Sequence, residues 1–504
     1  MFLVTGASGY IGSRLVPALL GGGERVRVAV REPSKLRDLP WADRVETTVA
    51  DVTDPATLPS ALEGTDVAYY LVHALTTGRG FERTDRRAAE AFGRAAADAG
   101  VARIVYLGGI VPPVPERELS PHLRSRAEVG RILRHSGVPS VELRAAVILG
   151  SGSASFEMLR YLTERLPVMT TPRWVDNLVQ PIAVRDVLRY LVGSASLPAD
   201  VNRAFDIGGP EVLTYRQMMH RYAAVAGLSP RVIISVPVLT PRLSSHWVGL
   251  VTPVPSSIAR PLVESLRHEV VCSENDIARY IPDPPSGLTG FDEAVRLALT
   301  RVRNAGVATR GSSMADAKEP SDPLPSDPLP SDPLPSDPDW SGGSLYSDDR
   351  KAEVGAPPEA LWDVIEGIGG ENGWYSFPLA WAARGWLDRL VGGVGLRRGR
   401  RDPARLQTGD FLDFWRVEEL ERGRSLRLRA EMRLPGLAWL EMTVEQGQRP
   451  GTSHYRQRAL FYPRGLAGHL YWWSVAPFHG VVFKEMARNI GRRAEAAAAE
   501  AGHE

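Results

Sequence analysis

The sequence predicts a doubly wound α/β domain with a parallel sheet, followed by a separate α+β domain. Three observations lead there. Apolar β-like runs alternate with helical stretches from the first residues onward, the pattern of a parallel sheet covered by helices. A proline-rich acidic repeat interrupts the chain after residue 311, and eight of its twelve tryptophans lie beyond residue 350. At 504 residues the chain also exceeds what one hydrophobic core supports, roughly 250–300 residues.

In order, strands are expected at 2–4, 26–30, 45–49, 67–72, 104–107 and 141–144, with helices over 11–20, 56–63 and 86–99 between them. Further on the pattern loosens, with short helices at 156–164, 184–192 and 215–226, as expected of the substrate side of a crevice. Three Ser-Asp-Pro-Leu-Pro repeats span 321–335; proline this dense favours extended, semi-rigid chain, so 312–350, with nine acidic and two basic residues, reads as a tether. The expected units are therefore 1–311, the tether 312–350, and 351–504. In the last, a helix opens on Pro358, strands are expected at 411–417, 425–432, 438–445 and 455–461, and an apolar stripe at Val482, Met486 and Ile490 marks a helix from about residue 481.

Composition narrows the function. Sixty basic and 59 acidic residues give a net charge of +1, so no global field recommends nucleic acid or an anionic membrane. The single cysteine, Cys272, forbids an internal disulfide and fits a reducing compartment, and no uncharged stretch of roughly 18–20 apolar residues marks a membrane span. A cytoplasmic location is expected, and the oligomeric state is not encoded in any pattern here. No metal-ligand spacing and no hydrolase elbow occur.

The chemistry concentrates at Thr5-Gly6-Ala7-Ser8-Gly9-Tyr10-Ile11-Gly12, a strand running into three glycines at the start of a helix. Gly6 permits a tight turn, Gly9 lets the backbone approach a pyrophosphate, Gly12 lets helix pack on strand, and the helix N-terminus favours the anion. This motif resembles the extended and atypical short-chain dehydrogenase/reductase superfamily, especially its NmrA-like branch, over roughly residues 1–300. The resemblance implies a Rossmann fold that binds NAD(P). It implies an adenine contact at Asp51 and Val52, a cofactor-side backbone at Gly108, and a reductase or epimerase-like activity on a hydrophobic small molecule. Arg31 stands where an acidic residue would hold the NAD ribose, which favours NADP over NAD. His73, closing the fourth strand, is expected at the cofactor edge of the sheet.

The superfamily's serine and Tyr-x-x-x-Lys are missing. Glycines 108 and 109 follow the fifth strand, and His122 and Arg126 stand where tyrosine and lysine would. The chain has four lysines, and only Lys35 precedes residue 318. Two readings stay open. In one, His122 moves a proton near neutral pH with Arg126 beside it. In the other, both residues only position ligands in a non-catalytic nucleotide or redox sensor. Tyr161 and Arg165 are weaker candidates, and Asp186 is expected to cap a helix.

Residues 351–497 resemble an uncharacterised domain related to the START/polyketide-cyclase helix-grip superfamily, on stretches such as Pro357 to Trp362, Gly409 to Trp415 and Tyr471-Trp472-Trp473. That resemblance implies a cup holding a hydrophobic ligand. The individual tryptophans read first as core, and the basic run 392–401 as a solvated loop.

Overall fold

The computed structural model describes residues 1–37, 39–74, 80–236, 251–299, 337, 340–369, 373–375 and 405–501. The Ser-Asp-Pro-Leu-Pro repeats and the basic run 392–401 lie outside the described residues. The chain forms two compact units, Met1–Gly343 and Ser344–Glu504.

The first unit is built on seven strands: β1 (Phe2–Thr5), β2 (Val26–Val30), β3 (Glu46–Val49), β4 (Val67–Tyr70), β5 (Arg103–Gly109), β6 (Ser140–Ala145) and β7 (Arg203–Ile207). All are parallel, in the order β7-β6-β5-β4-β1-β2-β3. Alternating side chains send β1 to both faces. Val4 joins one core layer with α1 (Gly12–Gly21) and α6 (Val184–Ser194), while Leu3 joins the other with α2 (Leu58–Leu62), α3 (Phe81–Asp98) and α4 (Pro121–Arg134). The chain order reverses between β1 and β4, which opens the crevice where open α/β sheets bind ligands. A third core layer, around Phe156, Tyr222 and Phe291, gathers α5 (Ala154–Arg165), α7 (Tyr215–Val225), α8 (Ser256–Ser265) and the helix at 291–299.

The expected strands fall within two residues of the observed ones. The seventh strand was not expected, because its Arg203 and Asp206 break the apolar run at a sheet edge. The helix expected at 56–63 is split into a 3₁₀ turn, Pro55–Thr57, and the five-residue α2.

In the second unit an antiparallel sheet runs β8-β13-β12-β11-β10-β9, formed by β8 (Tyr346–Val354), β9 (Phe411–Leu412), β10 (Trp415–Glu421), β11 (Ser425–Ala430), β12 (Gly436–Gln446) and β13 (Ser453–Pro463). Its inner face packs on α9 (Pro358–Glu366) and the 37-residue α10 (Gly465–Ala501), through Leu361, Ile365, Leu428, Leu440, Met442, Met486 and Ile490. Trp362, Trp374 and Trp415 are buried in this core. The outward side chains form a cross-strand ladder of charges, Arg456 with Asp349, Arg458 with Glu441, and Arg427 with Glu419 and Glu441. Three expectations change here. The strand expected at 411–417 is split into β9 and β10, with Asp413 between them at φ +54°. β8 begins at Tyr346, inside the stretch read as tether, because Tyr346–Val354 alternates side chains in and out along the edge of β13 despite its acidic residues. The final helix begins at Gly465 instead of about 481, so Tyr471-Trp472-Trp473 is helical; tertiary packing overrides the Gly, Trp and Pro477 that lower its propensity. No helix among the described residues is long and apolar enough to cross a membrane.

Candidate functional site

Along the carboxyl edge of the first unit's sheet, the glycine turn supplies one half of the site. Gly6 has φ +71°, and a Cβ there would lie 2.7 Å from the Leu71 carbonyl oxygen. A Cβ on Gly12 would come within 2.3 Å of the Gly6 oxygen, so that position too admits only glycine. Gly9 is exposed, and its Cβ position meets only the Gly6 oxygen, at 3.2 Å. Helix α1 has no acidic residue in its first turn and no side-chain cap, so its positive dipole end is left for an anion, while the Ser13 and Arg14 amides already donate to the Gly9 and Ile11 carbonyls. An open glycine over an uncapped helix fits a dinucleotide pyrophosphate.

Not every motif side chain faces that opening. Thr5 ties β1 to β4, its hydroxyl donating to the Tyr69 carbonyl (2.9 Å) and accepting from the Leu71 amide (3.2 Å), and Ala7 is buried. The Tyr10 ring lies 4.2 Å beneath the Arg14 guanidinium, its hydroxyl packed toward Gly150. Ser8 is half-buried, and Ile11 packs partly on the core beneath α1.

At the neighbouring strand ends, Arg31 follows β2, is exposed, and makes no ion pair among the described residues. Asp51, after β3, accepts from the Thr53 amide (2.8 Å) and hydroxyl (2.7 Å), a turn that fixes its carboxylate, while Val52 packs partly on the core below. Gly6, Arg31 and Asp51 thus follow the ends of three adjacent strands.

Beneath this half lies an unexpected contact. Arg14 of α1 is fully buried; it donates to the Tyr10 carbonyl (2.9 Å) and forms a bidentate pair with Asp337, at 2.9 and 2.6 Å. Asp337 lies just after the acidic repeats, in the stretch read as tether. Close by, the Trp340 carbonyl accepts from Tyr161 (2.9 Å) and the Gly342 amide donates to buried Glu157 (3.0 Å). Asp337, Trp340 and Gly342 therefore brace the first unit, and Tyr161 is part of that brace. No local sequence signal pairs residues 323 positions apart.

The second half is assembled from β4, β5, α4 and α8. Ser120 caps α4, accepting from the Leu123 amide (3.2 Å), with Pro121 opening the helix. His122 Nδ1 lies 3.2 Å from the Ser265 hydroxyl, and Ser120 Oγ is 2.9 Å from it. Ser265 donates its single proton to the Pro261 carbonyl (2.8 Å), so it accepts from the other two. His122 then carries its proton on Nδ1 and leaves Nε2 as an acceptor.

Four residues on, the Arg126 guanidinium stands 6.0 Å from the Tyr106 ring centre, and the Tyr106 hydroxyl donates to the Arg126 carbonyl (3.3 Å). Arg126 has no salt bridge among the described residues. His73 follows β4 and is exposed. Desolvation, and then the Arg126 charge, lower the pKa of both imidazoles, His122 to about 3. Both are neutral near pH 7, which departs from the expectation that His122 titrates there; the mutual influence of His73, His122 and Arg126 places them in one cluster.

Two further groups shape the cluster. A Cβ on Gly108 would sit 3.1 Å from Glu142 Oε1 and 3.2 Å from the Tyr106 ring, so the missing serine has little room. Buried Asp85, on α3, accepts from the Ala74 amide (2.7 Å) and the Ser125 hydroxyl (2.9 Å), tying the loop behind His73 to the helix bearing His122 and Arg126. Sequence reasoning missed Asp85 and Ser265, which have no motif; Asp85 is one inward residue of the strongly amphipathic α3. Asp186 does not cap α6. It sits in the first turn, accepting from the Thr289 amide (2.9 Å), and burial pushes its carboxyl upward.

This geometry offers one standing positive charge, Arg126, in a cluster with two neutral imidazoles. Such a site receives an oxyanion or polarises a carbonyl, and among the described residues of the cluster no side chain is shown to exchange a proton near neutrality.

Residues 6–160 match a family described as NAD(P)H-binding, and residues 340–486 match a protein family of unknown function, DUF2867. Among curated proteins, the (4-alkanoyl-5-oxo-2,5-dihydrofuran-3-yl)methyl phosphate reductase of Streptomyces griseus is 30% identical over 233 residues, 45% of this chain and 74% of that protein. The ceramide reductase of Caulobacter vibrioides is 28% identical over 309 residues, 58% of this chain and 92% of that one. Among solved structures, Citrobacter sp. triphenylmethane reductase complexed with NADP(H) is similar at a TM-score of 0.47 and 19% identity, over 59% of this chain and 100% of that chain.

Proposed function

The chain belongs to the NAD(P)H-binding, short-chain dehydrogenase/reductase-type family, and from that premise we propose that it is an NADP(H)-dependent reductase of a hydrophobic carbonyl compound. The observation that carries this is the Arg126 guanidinium, without a salt bridge among the described residues, in one cluster with neutral His73 and His122. The glycine turn and the N-terminus of α1 would hold the pyrophosphate, Asp51 and Val52 the adenine, and Arg31 the 2′-phosphate that distinguishes NADP from NAD. When bound, reduced nicotinamide supplies a hydride. Arg126 stabilises the negative charge that develops on the substrate oxygen. His122, kept in one tautomer by Ser265, orients a substrate hydroxyl or a water at Nε2, and that water delivers the proton because no side chain is poised to do so. Relatives named for a ceramide and for an alkanoyl compound support a substrate with an acyl chain. In this reading the second unit is a helix-grip module that captures that substrate, supported by its order of helix, antiparallel strands and long helix.

The test is to load the full chain with NADPH and follow loss of reduced-nicotinamide absorbance with a panel of acyl-chain ketones and quinones. Turnover that falls on replacing Arg126 sustains the proposal. The second reading, a nucleotide sensor, is favoured by the absent serine, tyrosine and lysine. Tight NADPH binding with no turnover across the panel, and no substrate among copurifying ligands by mass spectrometry, would establish it instead.

A further inference from the structure

Every large apolar side chain that the second unit exposes, among the described residues, lies on one stretch of α10. Leu466 is 39% exposed, Leu470 61%, Trp473 67%, Phe478 69% and Val481 58%. Four of the five, Leu466, Leu470, Trp473 and Val481, follow helical spacing and share one face with exposed Pro477. The opposite face of the same stretch is already used. Buried Trp472 stacks on Tyr346 at 5.0 Å, and His469 Nδ1 pairs with the Tyr346 hydroxyl at 2.8 Å. The helix is thus apolar both toward its sheet and away from it. Single exposed apolar residues need no explanation, but a contiguous stripe marks an interaction surface.

Charge says what the surface fits. From Gly465 to Phe483 there is no Asp, Glu, Lys or Arg, and exposed cations stand at the two ends, Arg464 and Lys484. A second copy packed about a two-fold axis with the helices antiparallel would set the Arg464 end of one beside the Lys484 end of the other, bringing like charges together. A bilayer surface accepts the apolar side chains at the boundary of headgroups and acyl chains, and anionic headgroups attract the positive charge at both ends. We propose that this face of α10 docks the protein on an anionic lipid surface, lying on the membrane without crossing it. The inference is independent of the cofactor and of the reaction.

The experiment is flotation of the full chain with vesicles of phosphatidylcholine alone and with about one third phosphatidylglycerol. Wild type is expected to bind the anionic vesicles at least ~10-fold more tightly than the neutral ones. A Leu470→Glu/Val481→Glu pair is expected to lower binding to both by ~30-fold or more, with unchanged melting because both side chains are solvent-exposed. The Arg464→Gln/Lys484→Gln pair should remove only the anionic preference. Failure of wild type to float with either vesicle, or floating unaffected by Leu470→Glu/Val481→Glu, overturns the proposal. So does a wild type that ignores vesicles yet sediments as a dimer that Leu470→Glu dissociates, which would make the face a contact between copies.

Discussion

The two halves of the carboxyl edge are built by different means. The half over β1, β2 and β3 works mainly through backbone: a turn that admits only glycine at Gly6 and Gly12, an uncapped helix end, and two short loops bearing Arg31 and Asp51. Its central turn spans eight consecutive residues. The half over β4 and β5 works through side chains drawn from separate elements, His73, Asp85, His122 with Arg126, and Ser265. The first half is therefore fixed by local stereochemistry, and the second by packing that brings distant residues under one positive charge. Substitutions should separate binding from turnover along that line.

The largest expected effect is on the backbone half. Gly12→Val puts a side chain where even a Cβ would be 2.3 Å from the Gly6 oxygen, and NADPH affinity should fall at least ~100-fold by fluorescence titration. An affinity within a few fold of wild type would show that the turn does not hold the nucleotide. On the other side of the comparison, Arg126→Ala should lower kcat/KM by about 100-fold while leaving NADPH affinity within about threefold. Equal losses in both would erase the distinction between the halves.

A smaller effect is expected at Arg31. Arg31→Ala removes a charged contact from the 2′-phosphate and should weaken NADPH about tenfold, with NADH unchanged. Equal weakening of the two nucleotides would assign Arg31 to the solvated surface. The last effect concerns pH. His122 is held well below its ordinary pKa of about 6.5, so below that value the unfolded chain binds a proton that the folded chain refuses. Stability is full above about pH 6.5 and declines as pH falls toward about 3, with a slope of up to about 1 kcal/mol per pH unit from this residue. Urea melts of wild type and His122→Gln between those limits measure it; identical slopes would place the imidazole in water.

Much of this was legible in the sequence because it follows from local rules. The alternation of strand and helix, the glycine spacing and the loss of the Tyr-Lys pair needed only neighbours within a few residues. Less legible were contacts that depend on burial. Asp337 sits in the stretch that reads as an acidic spacer, yet its carboxylate is buried against Arg14. The 465–480 stretch reads as a poor helix former, yet packing on β8 and β13 makes it the first half of α10. His122 has the residue type of a proton carrier, and only its surroundings make it a neutral acceptor.

By itself, the sequence determined the parallel sheet, the nucleotide turn and the separate second unit. These depend on side-chain period, on glycine's freedom from a Cβ and on composition, all properties of short segments. The tertiary structure decided the protonation of the histidines, the clamp at Asp85, the Arg14–Asp337 brace and the outward apolar face of α10. Each depends on which groups exclude water from which others, and that is set only once distant segments are packed together.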